Sequence, residues 1–447
     1  MFSEQYERAA NAHSSYQTSV TRSEDHSEEN SLPKVRSLRR FAPFLVLFSN
    51  IARAASQWVL LWFFAILGGA EVVGEYSIAL AIATPIFIVL DLSIRNVFVT
   101  LKTDVIFGQY LRLRLLTSGL AFVVLIGTSF FVAIPPGVLL LIGAVKAVDS
   151  LLELAYGALQ KRSDLYRIAW TSMLNSGLTV AFGVAAFALS RSVELSLVGS
   201  LLGSAITVVI VFAPLLVSGN GQSSKKQNSH GLRAVIRAGI PSGLAFASVS
   251  LLTYLPVYFL SSTESARIVG IFAVLAYFPV IANLLYASVQ QVTLNNFVAS
   301  YEARGNRGLA LYATRILTPL LLLGIGLGTG TFLLGDWFIQ GVFGAEFAVP
   351  PAAVHFVAVS LAILPIVYVS GAILLTRNRY GIQFITGGLA LATSAIVGTF
   401  MLAGFNLESA AVLVLVGTSA RAVLSGSAAI WSLKSRRDFR ETINSAS

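Results

Sequence analysis

Lys146, Asp149 and Glu153 follow one another at i, i+3 and i+7 within LLLIGAVKAVDSLLELAYGALQ, residues 139–160. At about 100° per residue these three charges share one helical face. A fixed ammonium on such a face could hold an anion. The two carboxylates are candidates for ion coupling, or Asp149 could simply neutralise Lys146. Arg53 and Arg421 also sit inside long apolar runs. An arginine at the centre of a membrane helix costs about 2.5–3.5 kcal/mol on insertion scales, so both should face a cavity or a partner rather than lipid. Asp91 and Arg95 stand at i, i+4 and are expected to form a structural pair within one helix; Arg95 is also a candidate cavity cation. Uncharged polar residues form stripes at Ser172, Asn175 and Thr179, and at Asn283, Tyr286 and Gln290. Such stripes either join helices or, with Tyr254 and Tyr258, offer hydrogen bonds to a polyhydroxylated ligand.

Other chemistry lacks the residues it needs. There is no cysteine, so thiol nucleophiles, thiolate metal sites and disulfides are excluded together. Four histidines are scattered at 13, 26, 230 and 355 with no metal-binding spacing. No phosphate-binding glycine loop or nucleophile elbow occurs, and the apolar runs leave no room for an outer catalytic subdomain. The reading is of a non-enzyme without cofactor or metal.

The elements that must position the charged residues are membrane helices. The 447 residues are 55% hydrophobic and 12% charged, whereas soluble domains run near 25% charged. Apolar runs at 41–67, 73–99, 113–134, 137–159, 165–189, 193–217, 236–261, 268–298, 309–334, 350–375, 380–403 and 407–432 predict an all-α polytopic protein with about 12 spans. GDWFIQGVFGAEFAVPP, from 335 to 351, is the stretch that could instead re-enter the interface. Residues 1–37 are polar and Ser-rich and read as a disordered tail. A hydrophilic stretch at 218–235 separates an N-terminal set of six spans (38–217) from a C-terminal set (236–433), with a second tail at 434–447.

Lys and Arg gather in alternate connections, among them Arg112, Arg114, Lys161, Arg162, Arg304, Arg307, Arg377 and Arg379, whereas the other connections hold Arg191 and Arg267. The asymmetry puts both termini in the cytoplasm. It also accounts for the net charge of +10 without nucleic acid as a partner. GEYSIALAIATP (74–85) and GIFAVLAYFP (270–279) look like two copies of one element, each running from Gly through an aromatic and small residues to Pro.

The run GGAEVVGEYSIALAIATPIFIVLDLSIRNV, with VKAVDSLLELAYGALQKRSDLYRIAWTSMLNSGL, ESARIVGIFAVLAYFPVIANLLYASVQQ and LLGDWFIQGVFGAEFA, resembles Wzx-type polysaccharide flippases of the multidrug/oligosaccharidyl-lipid/polysaccharide (MOP) exporter superfamily. The resemblance spans residues 38–435. It implies two six-helix lobes around a central cavity, in a bacterial inner membrane, alternately open to the two sides. It implies an undecaprenyl-diphosphate-linked oligosaccharide as substrate, flipped toward the periplasm for O-antigen, capsule or exopolysaccharide assembly. Lipid and a polysaccharide polymerase with its chain-length proteins would be the partners. On that reading Arg53, Lys146, Arg421 and Arg95 meet the diphosphate, and Asn283, Tyr286, Gln290, Tyr254 and Tyr258 meet the sugar. The alternatives are a cation-coupled multidrug antiporter of the same superfamily, whose cavity should be rich in carboxylates, and a membrane enzyme of polysaccharide assembly. The loop LKTDVIFGQYLRLR (101–114) lacks the Gly-Asp-Arg pattern of major-facilitator carriers.

Overall fold

In a computed structural model, the described residues are 33–100, 107–132, 134–162, 164–219, 229–377 and 379–435. Among them every regular element is helical. The order is α1 (Pro33–Asp91), α2 (Ile94–Thr100), α3 (Phe107–Ser129), α4 (Pro136–Lys161), α5 (Leu165–Ser190), α6 (Val193–Gly219), α7 (Ser229–Thr263), α8 (Ala266–Phe343), α9 (Pro351–Thr376), α10 (Tyr380–Met401) and α11 (Leu407–Lys434). The expected tail over 1–37 lies outside the described residues up to 32, and α1 begins at Pro33. Half of the 218–235 connection, residues 220–228, lies outside them too.

Two helices are far longer than a bilayer is thick, and each doubles back. The 59-residue α1 breaks at Gly69 (φ 79, ψ −177). Positive φ is strained for a residue with a Cβ, which is why glycine occupies this turn. Phe64 and Tyr76 then meet edge-on with ring centroids 5.1 Å apart, a contact only a hairpin allows. The 78-residue α8 breaks at Arg304 and Gly305 (φ 58), and Phe297 stacks edge-on against Tyr312 at 4.9 Å. Its second arm runs as continuous helix to Phe343, and a short 3-10 turn follows at Ala345–Phe347.

Nine helices among the described residues are long and apolar enough to cross a membrane, counting α1 and α8 once each. This is a multi-pass membrane protein. The helices of the N-terminal half, α1 to α6, pack on one another, as do α7 to α11; the hairpin of α1 joins the halves through α7 and α8. One end of the molecule carries the Gly69 turn and Arg191, the other the Gly305 turn and most of the described basic residues.

Candidate functional site

A cavity of about 160 Å³ lies between the halves. Both arms of α1 contribute Gln57 and Ser77, α4 contributes Lys146, α7 contributes Tyr254, α8 contributes Asn283, and α11 contributes Arg421. Lys146 and Arg421 are the charged residues of its lining, and no carboxylate joins them. A second cavity, of about 80 Å³, lies within the N-terminal half and shares Gln57, Leu80 and Lys146 with the first. Arg53, Asp149, Asn175 and Thr179 line it. Among the described residues Lys146 and Asp149 make no ion pair with each other, so the ammonium stands between the two spaces. Asn175 Oδ1 and Ser176 Oγ are buried there without a hydrogen-bond partner, so the polar stripe on α5 is only partly spent on joining helices. Thr179 does that work, sharing a hydrogen bond of 3.1 Å with Ser204 on α6.

The charges nearer the basic end are paired differently from the sequence expectation. Helix α1 stops at Asp91, and Leu92 and Ser93 take left-handed conformations (φ 49 and 46) before α2 begins. An i, i+4 pair needs continuous helix, so the expected Asp91–Arg95 pair does not form. Asp91 instead pairs with Arg114 on α3, whose side chain is 1% exposed and also donates from Nε to the Ser150 carbonyl at 2.9 Å. Arg95 pairs with Glu153, whose other oxygen accepts from Arg53 at 2.7 Å. Glu153 therefore bridges two arginines. Arg53 reaches the smaller cavity with its side chain still 47% exposed.

The stripe on α8 divides. Asn283 faces the central cavity and accepts from the Tyr368 hydroxyl at 2.8 Å. Tyr286 is fully buried against α9, its ring 5.9 Å from that of Tyr368, and Gln290 donates to the Tyr368 carbonyl at 2.8 Å. Both are turned into the packing of the C-terminal half, and of the stripe only Asn283 lines the cavity. Tyr254 lines the cavity, while Tyr258 donates to the Ala81 carbonyl and joins α7 to α1. Gln57, Ser77, Tyr277 and Thr418 also line the cavity and were not anticipated from sequence. Gln57 stands one turn from Arg53, and Thr418 three residues from Arg421; that spacing was the available signal. His355 stacks on Phe332 at 4.0 Å, away from both cavities.

The two halves are in close contact at the Gly69 end. The α1 hairpin and the start of α8 cross at Gly74 and Gly270, where a methyl group on either would overlap the opposing backbone, the Ala266 carbonyl or the Ala70 carbonyl. Trp62 donates from Nε1 to the Val342 carbonyl at 2.9 Å, and the Ala70 amide donates to Glu346 Oε1 at 2.7 Å. That amide is one of the unpaired donors at the start of the helical segment after Gly69, and a carboxylate there also opposes the positive end of the helix dipole. Glu346→Ala leaves the donor unsatisfied, which costs about 1–3 kcal/mol in the closed arrangement. We expect a Ser77→Cys reporter in the central cavity to be labelled several-fold faster from the Gly69 side in this variant. An unchanged labelling rate would show that the carboxylate does not hold this contact.

No known family's sequence profile matches the chain. A capsular polysaccharide biosynthesis protein, CapF of Staphylococcus aureus, is 21% identical over 378 residues, covering 82% of this chain and 93% of that protein. A multidrug resistance MATE family transporter of the MOP superfamily, solved in an inward-facing conformation, superposes with a TM-score of 0.63 at 14% identity, over 88% of this chain and 97% of that one. The fold is that of the MOP-superfamily transporters. The Vibrio cholerae MATE transporter VcmN, solved as a point mutant, matches equally well, with a TM-score of 0.63 at 15% identity over 93% and 99% of the chains. In this fold the larger cavity lies between the two helical halves, with Lys146 lining it from one and Arg421 from the other.

Proposed function

We propose that the protein is a flippase that moves undecaprenyl-diphosphate-linked oligosaccharide units from the cytoplasmic to the periplasmic leaflet for surface polysaccharide assembly. It would act as a non-enzymatic carrier in a bacterial inner membrane, with both termini cytoplasmic. The observation that carries this reading is the polarity of the central cavity: its charged lining is Lys146 and Arg421, with no carboxylate. A diphosphate needs fixed cations in a site from which water is largely excluded. A cavity built for cationic drugs would show the opposite sign, so the multidrug antiporter reading is disfavoured although the solved neighbours are of that kind. Gln57, Asn283 and Tyr254 supply hydrogen bonds suited to sugar hydroxyls, and the polyprenyl tail can stay in lipid. The capsule-synthesis relative is consistent with the same substrate class.

Twelve spans in two lobes, 38–217 and 236–433, fit the reading: α1 and α8 each count twice, and α4 is a 26-residue helix of bilayer length that carries Lys146, Asp149 and Glu153. On this reading the contacts at the Gly69 end form a closed gate, substrate reaches the cavity from the basic end, and transport requires the gate to open in turn. Asp149 in the smaller cavity is the group best placed for ion coupling, because Glu153 is occupied by two arginines. Removing a charge-assisted contact costs about 1.5–3 kcal/mol, or roughly ten- to a hundredfold. Lys146→Ala with Arg421→Ala, at normal protein level, should therefore cut surface polysaccharide at least about tenfold, while Lys146→Arg keeps most of it. Full polymer output from the double variant would remove the basis for an anionic cargo.

A further inference from the structure

The two arms of α8 leave a groove of about 480 Å³ near the Gly305 turn, apart from both cavities above. Asn296, Ser300 and Arg304 line it from one arm, and Gly308, Tyr312 and Arg315 from the other. Its polar lining consists of two guanidinium groups, a phenol, an amide and a hydroxyl, with no carboxylate. Ala299 and Ala303 supply small side chains along the groove, Gly308 lets the arms approach closely at the Ser300 carbonyl, and the Phe297–Tyr312 edge contact at 4.9 Å sets their spacing.

The depth of the groove follows from the second arm. Between Arg315 and Asp336 the chain reads ILTPLLLLGIGLGTGTFLLG, roughly 20 residues without a charge, which at 1.5 Å per residue span the hydrocarbon core of a bilayer. Arg315 and Asp336 thus mark the two boundaries. Arg315 lies at headgroup level, on the face where the described basic residues gather, and the groove runs from it toward the Gly305 turn. Leu311, which also lines the groove, is 58% exposed and offers apolar surface beside the arginines.

We propose that this groove is a binding site for an anionic phospholipid of the surrounding leaflet. Arg315 would hold the phosphate and Arg304, nearer the Gly305 turn, the outer part of the head group, as the planar guanidinium fork suits phosphate oxygens. Basic pockets between membrane helices at this depth recognise lipid head groups in just this way. The inference stands on the membrane placement of α8 and does not depend on what the central cavity carries.

Native mass spectrometry of the full-length protein with phosphatidylglycerol and with phosphatidylcholine of the same acyl chains tests it. The wild type should retain phosphatidylglycerol at least tenfold better. Arg304→Ala with Arg315→Ala should bring the two lipids within about twofold of each other, Arg304→Lys with Arg315→Lys should fall between, and Arg307→Ala, outside the groove, should behave as wild type. Equal retention of both lipids by the wild type, or an undiminished preference in the double alanine variant, overturns the assignment. Complete displacement of the lipid by millimolar inorganic phosphate would make this a free-phosphate site and also overturn it.

Discussion

Replacing Gly270 by alanine is expected to cut transport at least tenfold while the protein still inserts in the membrane. A methyl group there would overlap the Ala70 carbonyl and come within 2.9 Å of the Gly74 amide nitrogen. Both obstacles are backbone, which cannot rotate away as a side chain would. Forcing extra volume into a packed contact typically costs about 1–3 kcal/mol. The contact belongs to the closed Gly69 end, so the cost falls on that state and spares the state in which the two backbones have parted. Two states of a carrier commonly differ by only a few kcal/mol, and each 1.4 kcal/mol is a factor of ten in population. The chain lacks cysteine, so an Ala70→Cys, Ala266→Cys pair reports the closure without background. Its cross-linking should collapse in the Gly270→Ala background. Gly330, whose Cβ position is open, is the control: alanine there should be neutral or slightly stabilising through helix propensity. Wild-type cross-linking and transport in Gly270→Ala would refute the tight crossing as the seal.

The largest effect on stability is expected at Asp91. Its partner Arg114 is almost wholly enclosed, with Nε committed to the Ser150 carbonyl and Nη1 3.3 Å from the Asp91 carbonyl. Asp91→Ala would leave a buried guanidinium without its counter-charge, a change that costs about 3–5 kcal/mol in comparable cases. The variant should accumulate poorly and melt well below the wild type in detergent. Replacing both partners at once behaves differently, because a buried pair exchanged for apolar side chains of similar volume is often close to neutral. Asp91→Leu with Arg114→Met should therefore recover most of the lost stability. If the single and the double variant melt together, Arg114 does not carry the penalty of an unpaired charge.

Much of the fold was legible because its signals are local. Apolar runs of bilayer length can be read residue by residue, and they place the spans and the connections between them. The turn at Gly68–Gly69 is visible as a glycine pair between two such runs, and Gly69 does adopt the positive φ that the turn requires. The repeat of Gly74 and Gly270 pointed to two related elements; in three dimensions these same two glycines are one of the places where the halves touch. Lys146 and Arg421 could be picked out because a charge inside an apolar helix must face something other than lipid, and both do line the central cavity.

What each charge faces was not legible, since that depends on how one helix is rotated against another. Asp91 and Arg95 are neighbours in sequence, yet the chain bends at Leu92–Ser93 and sends them to Arg114 and Glu153 on different helices. Arg114 reads as one more basic residue at a membrane boundary until α1 and α4 close over it. Asn283, Tyr286 and Gln290 share a face by periodicity, but α9 packs over the lower part of that face and leaves only Asn283 to the cavity. Sequence alone thus determined an all-helical membrane chain with buried cations and paired glycine elements, because hydropathy and backbone conformation are properties of short segments. The tertiary structure alone decided which charges are neutralised, which polar groups reach the cavity, and that Glu346 meets Ala70 across the two halves, because those contacts join residues as far as 276 positions apart.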